Sequence, residues 1–242
     1  MLKFLSLFAS ASITCFESNA TDYAEDYLVL DDALIEHPSS TVVTRVFDQS
    51  MLSLEAFQRG IGVGDLLIVD GSLSVASGDL YLSADGSLKQ FSKPDDYDGL
   101  QIEGCGVITR SIRLFAGPSL DIEFSSTYPS LKSTIHDLLI RSNRSSFISR
   151  VAGDSMEGEG IFDGSLIVID RAHPFRDMSV IVANYNGLFV LKIADKSNRR
   201  LLSANVQHKP VHVLPHDTFS YEGTVLCAIR FHRPTKFASK VL

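Results

Sequence analysis

A serine and a lysine 37 residues apart are the residues of this sequence best suited to chemistry. Ser155 belongs to the block Gly153–Met156, and Lys192 lies in the apolar run Leu188–Ile193 just after a predicted hairpin. Burying an ammonium group without a partner is costly, so burial lowers the pKa of a lysine. A neutral amine within hydrogen-bond reach of a serine hydroxyl can remove its proton, which makes the two a catalytic dyad. The alternative is a lysine that snorkels from a strand edge to water.

These two residues lie in the second of two similar halves of the chain. Residues 33–50 align without a gap on residues 138–155, and residues 64–70 align on residues 164–170. Each half then reaches a two-residue turn signal, Asp85-Gly86 or Asn186-Gly187, which is typical of type I′ hairpins. Ordered blocks of this kind predict an internal duplication. Short apolar runs between turn signals predict a mainly β fold, with helices only near residues 27–35 and 130–141.

The first half lacks the complete dyad. Ser50 aligns with Ser155, but Phe91 stands where the lysine is expected. Lys89 lies two residues earlier on the same strand face, so a slipped hairpin could restore a base, although register slips are penalised where one face is buried. The first half also has no counterpart of residues 200–214, which predicts a smaller core. We therefore interpret Ser50 and Phe91 as degenerate positions.

Composition excludes several classes of protein. The chain has 22 Lys+Arg against 29 Asp+Glu, a net charge of −7, which argues against direct binding of nucleic acid. The three cysteines have no C-x-x-C spacing, which argues against a disulfide framework and a zinc site. His208, His212 and His216 are spaced by four, but Pro210 and Pro215 break any helix that could align them as metal ligands. We expect no metal and no cofactor.

The first residues leave two interpretations open. Lys3 and the apolar stretch that follows it are typical of a short secretory signal. No stretch reaches the length needed to span a bilayer, so we expect no membrane segment. The odd number of cysteines favours a reducing compartment, and we expect a cytoplasmic protein.

The blocks together carry a family resemblance. Gly153-Asp-Ser-Met156, Gly164–Asp170, the Asn186-Gly187 turn and Lys192 resemble the self-cleaving S24 peptidases, the family of LexA, UmuD and phage repressors. Within that family, the segment before Ser155 and the lack of a helix-turn-helix resemble UmuD. The resemblance implies two tandem LexA/UmuD-type C-terminal β domains, the first shortened. The arm at residues 6–23 also resembles that of UmuD without its scissile glycine, which explains the apolar start without a signal peptide.

The resemblance also implies roles for individual residues. Ser155 would be the nucleophile and Lys192 the base, and the backbone N–H groups of Asp154 and Ser155 would form the oxyanion hole. The scissile bond of the family is Ala-Gly or Cys-Gly, some distance before the serine. Ala116-Gly117 fits, and Leu-Phe before it and Pro-Ser after it resemble the UmuD arm. Cys105-Gly106 is the competitor, but we expect it to be hydrogen-bonded inside a strand.

The expected organisation has four parts. Residues 1–20 are an N-terminal arm, 21–112 a degenerate UmuD-like domain, 113–130 a linker with the scissile bond, and 131–242 the catalytic UmuD-like domain. Cleavage at Ala116-Gly117 would separate the two domains.

The resemblance further implies partners. Family members of the UmuD type cleave themselves on a RecA nucleoprotein filament and then join a UmuC-type translesion polymerase in the SOS response to DNA damage. A homodimer or a UmuD-like partner is expected as well. Three alternatives remain: a non-catalytic module that titrates UmuD or the polymerase, a LexA-like repressor, and a Ser-Lys signal peptidase. The repressor is disfavoured by the negative charge and the missing helix-turn-helix, and the signal peptidase by the missing membrane anchor.

Overall fold

The computed structural model describes residues 2–10, 24–92, 104–116, 125–127, 134–140 and 144–234. These residues form fifteen strands: β1 (Leu2–Ser10), β2 (Ala24–Leu28), β3 (Thr41–Arg45), β4 (Leu66–Asp70), β5 (Leu80–Ser83), β6 (Leu88–Gln90), β7 (Gly104–Leu114), β8 (Ser125–Thr127), β9 (Ser146–Ala152), β10 (Leu166–Asp170), β11 (Ser179–Tyr185), β12 (Leu188–Asp195), β13 (Arg200–Leu202), β14 (Val211–His212) and β15 (Phe219–Phe231). They also form three short helices: α1 (Leu30–Leu34), α2 (Leu54–Gln58) and α3 (Ile135–Leu139). The prediction of a mainly β fold is confirmed. Helix α1 and helix α3 lie where helices were expected, whereas α2 was not predicted.

The chain divides into two compact units. The first comprises Met1–Leu30, Leu114–Ser119 and Ile135–Arg230, and the second comprises Asp31–Arg113, Leu120–Thr134 and Phe231–Leu242. The first unit therefore includes residues at the end of β7, and the second includes residues at the end of β15. The domain boundaries expected from the sequence remain predictions.

The unit with Ser155 is built around β10. This strand pairs antiparallel with β9 on one side and with β15 on the other. Strand β11 pairs with both β15 and β12, and β13 and β14 extend the sheet beyond β12. All five side chains of β10 are buried because the strand has neighbours on both edges and core on both faces. The backbone of β1 runs parallel to β9 and antiparallel to β2.

The other unit repeats the central arrangement with fewer strands. Strand β4 pairs antiparallel with β3 and with β7, and its five side chains are also buried. Strand β5 pairs with β6 and with β7, and β8 pairs with β3. Among the described residues of this unit, one core cluster consists of nine buried side chains between Val46 and Ile108.

The two predicted hairpins form different turns. Tyr185 pairs with Leu188, and both loop residues have positive φ, 50° at Asn186 and 84° at Gly187, as a type I′ turn requires. The prediction of a type I′ turn at Asp85-Gly86 is wrong. Leu82 pairs with Leu88, Ser83 N–H donates to Ser87 O, and φ of Asp85 is not positive. The cause is local: the Asp85 carboxylate accepts from the N–H and the hydroxyl of Ser87, at 2.9 and 2.6 Å. This bond stabilises a three-residue loop.

Candidate active site

Ser155 lies in a tight loop directly after β9. Gly153, the first residue of the loop, has φ +96°, a conformation that glycine adopts at little cost. The Gly153 N–H donates to the Asp163 carboxylate at 2.8 Å, which secures the start of the loop. Met156, the residue after the serine, is fully buried in the core with Val151 and Leu191. Ser155 is therefore held between two anchored neighbours, and its own side chain is fully buried.

Lys192 is placed opposite the serine by the middle of β12. It pairs with Ile181 on β11, is only 7% exposed, and its Nζ lies 2.6 Å from Ser155 Oγ. Burial lowers the pKa of Lys192 to about 8, and the negative charge of Asp154 opposes part of that shift. A substantial fraction of the amine is therefore neutral near pH 8. The geometry excludes the snorkelling interpretation, since the ammonium end points to the serine and not to water.

This arrangement can activate a nucleophile without histidine. A neutral Lys192 amine can accept the Ser155 hydroxyl proton across the 2.6 Å contact. The Ser155 N–H has no acceptor among the described residues, which leaves it free to bind a developing oxyanion. A hydroxyl, an amine that can accept its proton and an available backbone N–H thus occur together at a buried position.

A segment after β13, for which the sequence predicted no role, contacts the serine loop. The N–H groups of Ala204 and Asn205 both donate to Ser155 O, at 2.9 and 3.0 Å. His208 Nε2 lies 2.8 Å from Asp154 Oδ1, and this hydrogen bond is the largest cause of the lowered pKa of Asp154. The sequence presents His208 only as one of three histidines spaced by four. Its partner lies 54 residues away, and no local pattern points to it.

Ala116 lies outside the Ser155–Lys192 contact in this structure. The N–H groups of Phe115 and Ala116 both donate to Leu226 O, and both residues line a pocket with Val180 and Ile193. Ile193 follows Lys192 on β12, and successive side chains of a strand point to opposite faces. Ala116 therefore lies on the face of β12 opposite to Lys192. Gly117 lies outside the described residues.

The competing bond has a different setting. Cys105 and Gly106 lie inside β7, where Gly106 pairs with Leu82. The backbone there is engaged in a ladder of hydrogen bonds, as the sequence had suggested. A peptide bond in that position cannot reach a nucleophile without local unfolding.

The corresponding positions of the first half are not assembled into a dyad. Ser50 is exposed, and its N–H and hydroxyl both donate to Asp48 Oδ1, at 2.7 and 2.5 Å. Phe91 is half-buried after the end of β6, and its backbone bonds Asp79 and Gly78. Lys89 binds Asp85 at 2.9 Å and Ser83 at 3.3 Å. Lys89, the base that a slipped hairpin could have offered to Ser50, is thus bound to Asp85 in the three-residue loop.

The described part of the chain lacks two further features. No group of three or more His, Cys, Asp or Glu side chains there could hold a metal ion. No helix among those residues is long and apolar enough to cross a membrane.

Parts of the chain are similar in sequence to LexA repressors. A segment of 90 residues is 40% identical to the LexA repressor of Stenotrophomonas maltophilia (strain R551-3), covering 36% of this chain and 42% of that protein. LexA repressor 2 of Xanthomonas axonopodis pv. citri (strain 306) is 35% identical over 89 residues, with the same coverage. LexA repressor 1 of Xanthomonas oryzae pv. oryzae is 33% identical over 96 residues, which is 39% of this chain and 48% of that protein. The chain thus spans less than half the length of these relatives.

A family model covers far more of the chain than these relatives do. The model described as Peptidase S24-like matches residues 7–96 and, separately, residues 114–226. The second match contains the Ser155–Lys192 contact, and the first contains Ser50 and Phe91. The chain belongs to the Peptidase S24-like family.

Proposed function

We propose that this protein is a self-cleaving serine peptidase that cuts its own Ala116-Gly117 bond once, with Ser155 as nucleophile and Lys192 as general base. The 2.6 Å contact between the buried Lys192 Nζ and Ser155 Oγ carries this proposal. Burial supports it, because an amine that is neutral near pH 8 can act as a base close to physiological pH.

The reaction proceeds in two steps, acylation of Ser155 and hydrolysis of the resulting ester. Ser155 Oγ attacks the Ala116 carbonyl carbon while its proton passes to Lys192, and the Asp154 and Ser155 N–H groups bind the oxyanion. The C–N bond then breaks, and Lys192 returns the proton to the leaving amine of Gly117. A water molecule, deprotonated by Lys192, hydrolyses the ester to give the Ala116 carboxylate and regenerate Ser155.

The segment that contains Phe115 and Ala116 must leave its present position before the first step. Phe115 packs on the core, and Ala116 lies on the face of β12 opposite to Lys192. Cleavage therefore requires the two N–H bonds to Leu226 O to break and the segment to enter the site. A ligand that binds the entered conformation better than the docked one would accelerate the reaction.

We further propose that this ligand is a RecA nucleoprotein filament and that the cut protein joins a UmuC-type polymerase, as in UmuD-like proteins. Family membership and the resemblance of the arm support this assignment. The named relatives are LexA repressors, so the polymerase role rests on the resemblance to UmuD and not on these relatives. A homodimer or a UmuD-like partner would complete the complex.

The test is intact-mass analysis of the full chain at pH 7 to 10, with and without RecA, ATP and single-stranded DNA. The expected products meet at Ala116-Gly117 and vanish in Ser155→Ala, Lys192→Ala and Gly117→Val. Ser50→Ala is the matched control and should cleave like wild type, because the Ser50 hydroxyl binds Asp48 and contacts no lysine among the described residues.

Each alternative outcome identifies another function. Cleavage at Cys105-Gly106 would refute the assigned bond and keep the dyad. An uncut wild-type chain under every condition would refute the peptidase and favour the non-catalytic module that titrates UmuD or the polymerase.

A further inference from the structure

The segment between β13 and β14 packs directly on the serine loop. Ala204 N–H and Asn205 N–H converge on the carbonyl oxygen of Ser155, at 2.9 and 3.0 Å. Two donors on one carbonyl restrict the rotation of the peptide plane that follows the nucleophile. We call residues 203–208 the latch segment.

The latch segment also holds the residue before the serine. His208 Nε2–H donates to Asp154 Oδ1 at 2.8 Å, and since a carboxylate only accepts, Nε2 is the protonated ring nitrogen. Asn205 Nδ2 lies 3.4 Å from Asp154 O. Both sides of Ser155 are therefore bonded to the same six-residue segment.

A glycine after the serine permits this close approach. A Cβ atom at Gly158 would collide with the carbonyl oxygen of Ala204, which is backbone and cannot rotate away. The serine loop and the latch segment thus touch through backbone atoms as well as through His208. The contact thus depends on Gly158 in one segment and on His208 in the other.

The first half of the chain has a different polar contact at its serine, where Asp48 aligns with Gly153 and Gln49 aligns with Asp154. It has no counterpart of residues 200–214 in the sequence, and the Asp48 carboxylate accepts both the N–H and the hydroxyl of Ser50. Those are the two groups that a nucleophilic serine needs for the oxyanion and for its base. In the second half Gly153 places no carboxylate at the position of Asp48, Asp154 binds His208, and the Ser155 hydroxyl faces Lys192.

We propose that His208 is a positioning residue for self-cleavage: by binding the Asp154 carboxylate next to Ser155, it holds the serine loop in its reactive geometry. The inference rests on the proposed function and extends it to a residue that never touches the reacting atoms. Misplacement of a nucleophile by about 1 Å can cost about 100-fold in rate, so the effect should be measurable.

The experiment compares His208→Ala with His208→Gln, whose amide N–H reaches the position of Nε2 and can still donate to Asp154. His212→Ala is the matched control, because His212 is an exposed histidine on the neighbouring strand β14. Two rates are measured on the full chain across pH 7 to 10: self-cleavage, and labelling of Ser155 by a fluorophosphonate probe. Melting temperatures identify any variant that fails to fold.

The proposal expects both rates to fall about tenfold or more in His208→Ala, to stay within about threefold of wild type in His208→Gln, and to be unchanged in His212→Ala. The pH midpoint should stay near 8 in His208→Ala, because Lys192 remains buried. Gly158→Ala should slow both rates like His208→Ala.

Three results would overturn it. Wild-type rates in a folded His208→Ala would refute the positioning role alone. Equal losses in His208→Gln and His208→Ala, together with lowered melting temperatures, would reduce His208 to a structural residue. A wild-type chain that neither cleaves nor takes the label would refute the proposed peptidase itself, so the two failures are distinguishable.

Discussion

Raising the pH from 7 to 9 should accelerate self-cleavage about tenfold, because the base is a lysine whose pKa is lowered to about 8. With that pKa, about 9% of Lys192 is neutral at pH 7 and about 90% at pH 9. A lysine with an ordinary pKa near 10.4 would be neutral in only about 0.04% of molecules at pH 7. Burial thus raises the active fraction at pH 7 about 200-fold.

The assay is the initial rate of fragment formation by intact mass, in buffers of constant ionic strength from pH 6 to 10.5. Lys192→Arg is the sharpest variant, because a guanidinium keeps the positive charge and does not lose its proton in this range. It should be inactive at every pH. Ser155→Ala controls for cleavage by contaminating proteases.

Two results would refute the reasoning. An inflection near pH 10 would mean that the lysine is solvated in the reacting state. A rate that is flat between pH 7 and 9, or a cleaving Lys192→Arg variant, would mean that another group removes the proton of Ser155.

Three further predictions concern stability and reactivity. Gly106→Ala should lower the free energy of unfolding by about 3 kcal/mol in a denaturant titration, because φ is +139° and a Cβ would lie 2.6 Å from the Asp70 carbonyl; Gly86→Ala, with φ +83° and open space, should cost only about 1 kcal/mol. Cys227 is buried, with its pKa raised to about 12, so peptide mapping should find it alkylated by iodoacetamide only after unfolding. Lys192→Met should stabilise the protein by about 2 kcal/mol at pH 7, a gain that thermal melts should show disappearing between pH 8 and 10.4, because the folded pKa lies below the unfolded one and the burial penalty applies only while the lysine is charged.

A chain that shows wild-type stability in Gly106→Ala would contradict the close approach of β7 to Asp70. Rapid alkylation of Cys227 in the folded protein would contradict its burial. A Lys192→Met variant that is less stable than wild type at pH 7 would mean that the contacts of the charged lysine outweigh its burial penalty.

The sequence alone was sufficient for features that depend on local chemistry. Alternation of apolar residues predicted the strands, since side chains on successive residues of a strand face opposite sides. Asn186-Gly187 predicted its own turn, because few other pairs tolerate two positive φ angles. Residue types left Ser155 and Lys192 open between a dyad and a snorkelling lysine, and the resemblance of the surrounding blocks to the S24 peptidases selected the dyad.

The tertiary structure decided features that depend on register and distant contacts. The three-residue loop around Asp85 arose from a side-chain bond to Ser87 that competes with the type I′ turn, and it sets which residue opposes Lys89. The side of β12 on which Ala116 lies, and the bond from His208 to Asp154 across 54 residues, have no sequence signal. Local patterns report the conformational preferences of neighbours, whereas contacts between segments far apart in the chain exist only once the strands are paired and the core is packed.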